Sequence, residues 1–213
     1  MSERDHAFYA PQIFDVGTDL AAARRVILSD EEMGAEERWR VETPYLVDLI
    51  FEHVLLSPAS LVLDYGCGVG RLSRPLTLRA GCRVVGTDIS YDMLALAVRE
   101  VCSPRFIACG PPALDGLGLR FDLALSVWTL QHVHRLHETI AWLAAKLRPG
   151  GRLFVVNNRC RAVPTDLGWV DDGLDVAALL DEHLDRRETI PLDPAILSRF
   201  LVDRTLCGVW EAR

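Results

Sequence analysis

The chain has 213 residues, half of them hydrophobic and a quarter charged, which is enough to bury one full core. Its formal net charge of −7 argues against nucleic-acid binding, which depends on neutralising many phosphates with basic side chains. The N-terminus MSERDHAFYA is charged, and no segment approaches the roughly 18 consecutive apolar residues of a membrane span. We therefore expect a cytoplasmic protein of one domain over residues 1–213, with no membrane partner, made of a cap segment (1–59) and a core (60–213).

The cap segment is acidic and rich in arginine, unlike the rest of the chain. One helix is predicted around Ser29–Arg40, and a second is predicted over Tyr45–Leu56, after Pro44. We interpret the segment as a helical cap on the core.

The core repeatedly pairs a short apolar run with a helical pattern, which is typical of a parallel sheet covered on both faces. The predicted strands are Leu61–Asp64, Cys82–Asp88, Arg105–Cys109, Phe121–Trp128 and Arg152–Asn157. The helices between them are expected over Arg71–Ala80, Tyr91–Cys102 and His137–Leu147, with Ser90 as the N-cap of the second. These elements predict a three-layer α/β fold.

The remaining elements complete the sheet. The run Arg148-Pro149-Gly150-Gly151 predicts a helix stop and a turn before the fifth strand. After that strand, residues 158–173 are polar and predict an irregular stretch, which is followed by a short helix over Leu174–His183. Two further strands near Arg186–Ile190 and Arg204–Ala212 bring the expected sheet to seven strands.

Six cysteines are scattered along the chain without a C-x-x-C pair. A chain of this length does not need disulfides to hold its core together, so we expect reduced thiols. Cys67 and Cys109 differ from the rest because both fall where strands should end beside a ligand.

A glycine-rich loop, DYGCGVG, begins at Asp64 and connects the first strand to the first helix. Glycines there let backbone amides approach a ligand closely, although a tight turn that binds nothing has the same pattern. A nicotinamide-binding loop would carry glycine or alanine where this chain has Arg71. Asp64 would repel a pyrophosphate but suits an ammonium group, so the loop favours a ligand with a cationic end.

Asp88 ends the second predicted strand, 22 residues after Gly66. A carboxylate at this position can accept hydrogen bonds from both hydroxyls of a ribose. The alternative is that Asp88 is only a favourable charge at a helix N-terminus.

Four runs, LVLDYGCGVG, VVGTDIS, FDLALSVWTLQHV and LRPGGRLFVV, resemble in order and spacing the motifs of class I S-adenosylmethionine-dependent methyltransferases. The resemblance covers about residues 60–157. It implies a Rossmann-like, mostly parallel sheet of seven strands with an antiparallel edge. It also implies that S-adenosylmethionine binds across the carboxyl ends of the first strands and leaves as S-adenosylhomocysteine.

The resemblance assigns roles to individual residues. Asp64, Gly66 and Gly68 would border the methionine half of the cofactor, and Asp88 would bind its ribose. The other residues implied in cofactor binding are Ile89 and Met93 at the adenine, Ser126 near the sulfonium, and Cys67, Cys109 and Gln131. Many family members have an acidic residue after the third strand that faces the adenine amino group, whereas this chain reads ACGPP. Backbone groups or Asp115 would have to replace that acid, and Pro75 inside the first helix is a second departure.

Methyl transfer needs few catalytic side chains, because an in-line displacement is accelerated mainly by the alignment of the nucleophile, the methyl group and the sulfur. A base is needed only if the acceptor carries a proton, and His132 lies in a turn that resembles the variable active-site turn of the family. His132 is also suited to bonding a loop carbonyl. His132, His134 and His137 form H-x-H-x-x-H, but no set of carboxylates completes a metal site there, so no metal is expected.

Polar and aromatic residues in two segments are expected to border the acceptor cleft: Trp39, Arg40, Asn157, Asn158, Arg159, Arg161 and Trp169. Arginine side chains could hold an acceptor carboxylate or phosphate, and tryptophan could cover a ring or a cation. The alternative is surface arginines and core tryptophans.

Three functions remain open at this point. The first is methyl transfer to a small-molecule oxygen, nitrogen or sulfur. The second is a cofactor-binding regulatory or partner subunit without catalysis. The third, a nicotinamide oxidoreductase, is disfavoured by Arg71 and Asp64.

Overall fold

A computed structural model describes residues 7–28 and 33–213. Its strands are β1 (Leu61–Tyr65), β2 (Arg83–Thr87), β3 (Phe106–Cys109), β4 (Phe121–Val127), β5 (Leu147–Asn158), β6 (Val163–Thr165), β7 (Gly168–Val170), β8 (Asp185–Thr189) and β9 (Thr205–Glu211). Its α-helices are α1 (Leu20–Ile27), α2 (Ala35–His53), α3 (Ser73–Arg79), α4 (Tyr91–Val101), α5 (Pro111–Gly116), α6 (Leu136–Lys146), α7 (Val176–His183) and α8 (Arg199–Arg204). Short 3-10 helices span Pro11–Phe14 and Leu130–His132.

Seven of the strands form one sheet in the order β3-β2-β1-β4-β5-β9-β8. Strands β1 to β5 are parallel, and β9 is antiparallel to both of its neighbours, β5 and β8. The carboxyl ends of β1, β2 and β4 therefore meet at one edge of the sheet, where ligands bind in open α/β folds. This arrangement confirms the predicted three-layer, mostly parallel fold.

Alternating side chains of β1 enter two separate cores. Val62 packs into a cluster with residues of α2, α3 and α4, such as Ile50 and Leu76. Leu63 packs on the opposite face with residues of α6 and α7, such as Leu143 and Leu180. The period of two along the strand thus supplies both interfaces of the three-layer fold.

The cap differs from its prediction. The two predicted helices are one helix, α2, which contains Pro44. Proline removes one backbone hydrogen bond, but α2 continues because its buried residues Leu46 and Ile50 anchor the following turns in the core. Residues 29–32 of the first predicted helix lie outside the described residues. Helix α1 was not predicted, although the Asp19 side chain caps it by accepting from Ala21 and Ala22 amides.

The first core helix begins later than predicted, at Ser73. Pro75 is therefore its third residue, in the first turn, where backbone amides have no partner inside the helix. The proline consequently does not kink α3. In contrast, the prediction of Ser90 as an N-cap is confirmed, because its hydroxyl accepts from the Met93 amide at the start of α4.

The predicted turn before the fifth strand lies inside β5. Leu147 already pairs with Phe121, and regular pairing resumes at Arg152 opposite Leu123. The intervening Arg148–Gly151 segment bulges outward, with Gly150 at φ +73°. Downstream, the stretch predicted to be irregular contains the β6–β7 hairpin, and the C-terminal tail contains α8 between its two strands. No helix within 7–28 and 33–213 is long and apolar enough to cross a membrane.

Candidate active site

A cavity of about 530 Å³ lies at the carboxyl ends of β1, β2 and β4. Its walls come from the glycine loop, the start of α4, the turn after β4 and the N-terminal segment, and they include Asp64, Gly66, Gly68, Asp88, Ile89, Met93, Trp128 and His132. The predicted loop and the predicted ribose ligand are therefore together in one cavity.

The glycine loop needs its glycines. Gly66, Gly68 and Gly70 have φ values of +74°, +52° and +78°, in the left-handed region that other residues rarely adopt. A Cβ atom on Gly66 would lie 2.3 Å from the Thr129 side chain. The amides of Gly66 and Cys67 donate to the Thr87 carbonyl over 2.8 and 3.0 Å, which fixes the loop against the end of β2.

Asp64 supplies a buried negative charge at the base of the loop. Its Oδ2 accepts a 2.6 Å hydrogen bond from the Ser73 hydroxyl. Burial raises the pKa of Asp64 to about 6, and repulsion from Asp88 adds to the rise, whereas the bond from Ser73 opposes it. A ligand with a cationic end would remove much of this cost, so the carboxylate fits the ammonium and sulfonium groups of S-adenosylmethionine.

Asp88 bonds the start of α4 and the glycine loop. Its Oδ2 accepts from the Gly68 amide over 2.9 Å, and its Oδ1 accepts from the Ser90 amide over 3.0 Å at the start of α4. Burial raises its pKa, and these amide bonds oppose that effect. Each oxygen retains acceptor capacity, because carboxylate oxygens have two lone pairs, so the group can still receive ribose hydroxyls.

The N-terminal segment covers the cavity, and sequence reasoning missed its contribution. Tyr9, Phe14 and Ile27 all line the cavity. Tyr9 bridges to Thr165, and the Ala10 amide donates to the Pro164 carbonyl over 3.0 Å, so the segment is held by the β6–β7 hairpin. The signal in the sequence was the adjacent pair Phe8 and Tyr9 in an otherwise charged N-terminus.

His132 lies in the cavity wall, in the 3-10 turn after β4. Its Nδ1 is 2.7 Å from the Ala162 carbonyl oxygen, which can only accept, so Nδ1 carries the proton and Nε2 has the lone pair in the neutral ring. Burial lowers the pKa of His132, and the nearby Arg161 guanidinium lowers it further. The bond to a loop carbonyl therefore coexists with an imidazole suited to accept a proton. Phe14 and Trp169 pack on the ring, with centroids at 5.8 and 5.0 Å.

Some predicted cofactor residues stand behind the cavity wall. Gln131 is buried; its Oε1 accepts from the Asn158 amide over 2.8 Å, and its Nε2 donates to Nε2 of His132 over 3.3 Å. Ser126 is buried within β4, and its Oγ has no hydrogen-bond partner among the described residues. Cys109 packs against the core at the end of β3. Cys67 does line the cavity, and burial raises its thiol pKa.

None of the residues predicted to border the acceptor lines the cavity. Arg40 is 71% exposed and pairs with Glu37 on α2. The Arg161 side chain is fully buried and pairs with Asp172, so it holds the segment after β5 in place. Trp39 packs beneath the Arg24 guanidinium, and the amides of Asn158 and Arg159 bond within the fold. Asn157 accepts from the Gln131 backbone amide, and Trp169 packs on the His132 ring. Charge and residue type could not distinguish these ion pairs from a binding site.

Two further hypotheses change with the structure. Asp115 does not reach the adenine side, because its carboxylate accepts from the Trp142 indole over 2.7 Å and pairs with Lys146 at 2.6 Å. The histidines of H-x-H-x-x-H separate: His134 stacks on Tyr9 at the cavity, whereas His137 is exposed near Glu182. The described residues contain no group of His, Cys, Asp or Glu side chains arranged to hold a metal ion.

A family model described as a methyltransferase domain matches residues 62–151. The chain is similar to malonyl-[acyl-carrier protein] O-methyltransferase of Enterobacter lignolyticus, with 36% identity over 92 residues, covering 43% of this chain and 36% of that protein. It is also similar to ubiquinone biosynthesis O-methyltransferase of Rhizobium johnstonii, with 32% identity over 126 residues, covering 54% of this chain and 50% of that protein. The chain thus spans half or less of the length of these curated relatives.

Among solved structures, geranyl diphosphate C-methyltransferase from Streptomyces coelicolor A3(2), in complex with Mg²⁺, geranyl diphosphate and S-adenosyl-L-homocysteine, is similar with a TM-score of 0.64. The identity is 15%, and the alignment covers 98% of this chain and 92% of that one, so the likeness is one of fold.

The sheet order is that of a Rossmann-like fold, and residues 62–151, which carry the glycine loop and its two carboxylates, match a methyltransferase domain. Over these residues the chain is similar to methyltransferases in sequence, and its fold is similar to that of methyltransferases of known structure.

Proposed function

We propose that this protein transfers a methyl group from S-adenosylmethionine to an oxygen, nitrogen or sulfur atom of a small-molecule acceptor. The observation that carries the proposal is the buried carboxylate of Asp64 and the partly buried carboxylate of Asp88, which lie on either side of a loop whose glycines all have positive φ. This arrangement suits a ligand that is cationic at one end and carries a ribose. The bound cofactor supplies an electrophilic methyl group.

Other residues of the cavity suit the remaining parts of the cofactor. Ile89 and Met93 lie beside Asp88 and offer apolar contacts to a planar base. Cys67 and Gly68 line the cavity in the part of the loop that lies between the two carboxylates. Backbone groups near Gly110 would recognise the adenine amino group, since Asp115 is held elsewhere.

The acceptor is proposed to be small because the N-terminal segment roofs the cavity. Tyr9 and Phe14 line the cavity, and the segment that carries them is bonded to the β6–β7 hairpin. Both relatives named above are O-methyltransferases, which favours an oxygen acceptor. The six unpaired thiols favour a reducing compartment, and we propose the cytoplasm.

His132 is the proposed base, which takes a proton from the hydroxyl or amine group that receives the methyl group. The Ala162 carbonyl holds its Nδ1–H, which leaves the basic lone pair on Nε2, where it accepts from the Gln131 side-chain amide over 3.3 Å. A substrate hydroxyl or amine would take the place of that amide. Burial keeps the ring neutral near pH 7, which is the state that takes up a proton. The aromatic rings of Phe14 and Trp169 fix the imidazole plane.

Calorimetric titration with S-adenosylmethionine and S-adenosylhomocysteine tests the cofactor site, with a nicotinamide dinucleotide as the negative ligand. Asp88→Ala should abolish measurable binding, because it removes the ribose acceptor and releases the Gly68 amide. Asp48→Ala is the matched control, since Asp48 is an exposed carboxylate paired with Arg79 outside the cavity. The affinity of Asp48→Ala for both cofactor forms should equal that of the native protein.

Transfer itself is tested with cofactor labelled on the methyl group and fractionated metabolite extracts. Label in a small-molecule fraction that disappears in Asp88→Ala would support the proposal. Tight cofactor binding without transfer to any fraction would instead favour a regulatory subunit. No cofactor binding by folded protein would overturn the proposal.

A further inference from the structure

One buried carboxylate joins the cap to two walls of the cavity. Glu42 of α2 is only 1% exposed. Its Oε1 accepts from the Trp128 indole Nε1 over 2.7 Å and from Arg71 Nη1 over 3.1 Å. Its Oε2 accepts from Arg38 Nε over 2.8 Å, within the same helix. A carboxylate that is so deeply buried and so fully bonded fixes the groups around it.

Both distant partners of Glu42 are cavity residues. Arg71 directly follows the glycine loop, and Trp128 directly follows β4. Arg71 is fixed a second time, because its Nε donates to the Thr43 hydroxyl over 2.8 Å. Two adjacent residues of α2 thus determine where its guanidinium lies.

Trp128 is held in a conformation that costs free energy. Its φ is +57°, in the left-handed region that a bulky residue seldom adopts. Two hydrogen bonds hold it there: its amide donates to the Val156 carbonyl over 2.7 Å, and its indole donates to Glu42. The next residue, Thr129, is the one whose side chain stands against Gly66. A shift of Trp128 would therefore be transmitted to the glycine loop through its neighbour Thr129.

We propose that Glu42 is a positioning residue that sets the spacing between the glycine loop and the turn after β4. Those two segments border the methionine half of the cofactor, so the inference rests on the proposed function. Glu42 does not touch substrate; it acts through Trp128 and Arg71. The inference predicts an effect on the amino-acid end of the cofactor and little effect on its adenosine end, which Asp88 binds.

Two ligands separate these ends in calorimetric titrations. S-adenosylhomocysteine has the amino-acid chain, and 5′-methylthioadenosine lacks it. Glu42→Gln keeps one acceptor but loses the charge that both guanidinium groups share, so S-adenosylhomocysteine should bind about tenfold more weakly. Trp128→Phe removes only the indole donor, and about a threefold loss is expected. 5′-Methylthioadenosine should bind both variants within about twofold of the native affinity.

Glu37→Gln is the matched control, because it makes the same change in an exposed ion pair on the same helix. It should leave both affinities unchanged. Equal losses for both ligands in the folded variants would overturn the inference, because they would indicate a general structural defect. Native affinity for S-adenosylhomocysteine in folded Glu42→Gln, or in Trp128→Phe where Glu42→Gln does not fold, would also overturn it. Failure of the native protein to bind either ligand would instead remove the proposed function.

Discussion

The Ser73 hydroxyl, at the start of α3, donates a 2.6 Å hydrogen bond to Oδ2 of Asp64 in β1. This bond stabilises the ionised carboxylate, yet burial still raises the pKa of Asp64 to about 6. The cavity thus contains a charge that the protein alone does not fully compensate. Such a charge lowers the stability of the free protein and favours a cationic ligand, because the same desolvation cost is relieved when that ligand binds.

Asp64→Asn should stabilise the free protein at alkaline pH. The pKa of Asp64 in the folded state is about 6, above its ordinary value of 3.8. The folded protein is therefore most stable, with respect to this group, below pH 3.8, and it loses that stability as the pH rises through 6 and the carboxyl ionises. The ionised group then costs on the order of 3 kcal/mol, which asparagine avoids. We expect the melting temperature at about pH 8 to rise by several degrees, and the gain to shrink at about pH 5.

Asp48→Asn is the control for that comparison, because Asp48 is exposed and pairs with Arg79 at the surface. It should not raise the melting temperature at alkaline pH. A melting temperature of Asp64→Asn equal to or below that of the native protein at pH 8 would show that Asp64 carries no such cost.

Cofactor affinity should fall as the pH falls through the pKa of Asp64. Below about pH 6 the carboxyl takes up a proton and loses its attraction for a cationic ligand, so the dissociation constant should rise by up to about tenfold per pH unit. Titrations of the native protein and Asp64→Asn between about pH 5 and pH 8 measure this. The variant should bind weakly with a flatter profile, and equal pH slopes for the two proteins would contradict the assignment.

The parts of the site that could be predicted from sequence are those encoded locally. Asp64 and Asp88 follow apolar runs and precede capped or glycine-led helices, so their place at one edge of a parallel sheet follows from the pattern itself. Arg161 and Asp115 could not be placed, because their partners Asp172 and Lys146 are chosen by tertiary packing. A charged side chain looks the same in sequence whether it meets a ligand or an ion-pair partner.

The cap shows the same limit. Pro44 indicates a helix break locally, but the burial of the following turn against the sheet overrides that preference. The N-terminal cover is set by hydrogen bonds to a hairpin more than 150 residues away, such as that between the Phe8 amide and Asp166, where the separation is 158 residues. No local pattern contains that pairing.

Gly66→Ala should destroy cofactor binding while leaving the protein folded. A Cβ atom there would lie 2.3 Å from Thr129 Cγ2, so the loop or the turn after β4 must move. Gly118→Ala is the matched control, since Gly118 has φ +60° but nothing within 4 Å of its Cβ position. Both variants should lose about 1 to 2 kcal/mol of stability from the left-handed backbone. Only Gly66→Ala should also lose binding of S-adenosylhomocysteine by calorimetry, and retention of native affinity there would contradict the role of the loop.

His132→Gln should slow methyl transfer without weakening cofactor binding, once an acceptor with a transferable proton is identified. Loss of a positioned base typically costs about 10²- to 10⁴-fold in rate. Because burial lowers the pKa of His132 below its ordinary value of 6.5, kcat of the native enzyme at saturating cofactor should hold below pH 6.5 and decline only at lower pH, where the imidazole takes up a proton. Saturation separates this decline from that of Asp64, which acts on binding. If kcat and its pH profile are unchanged in the variant while its melting temperature falls, His132 serves only to hold the Ala162 carbonyl.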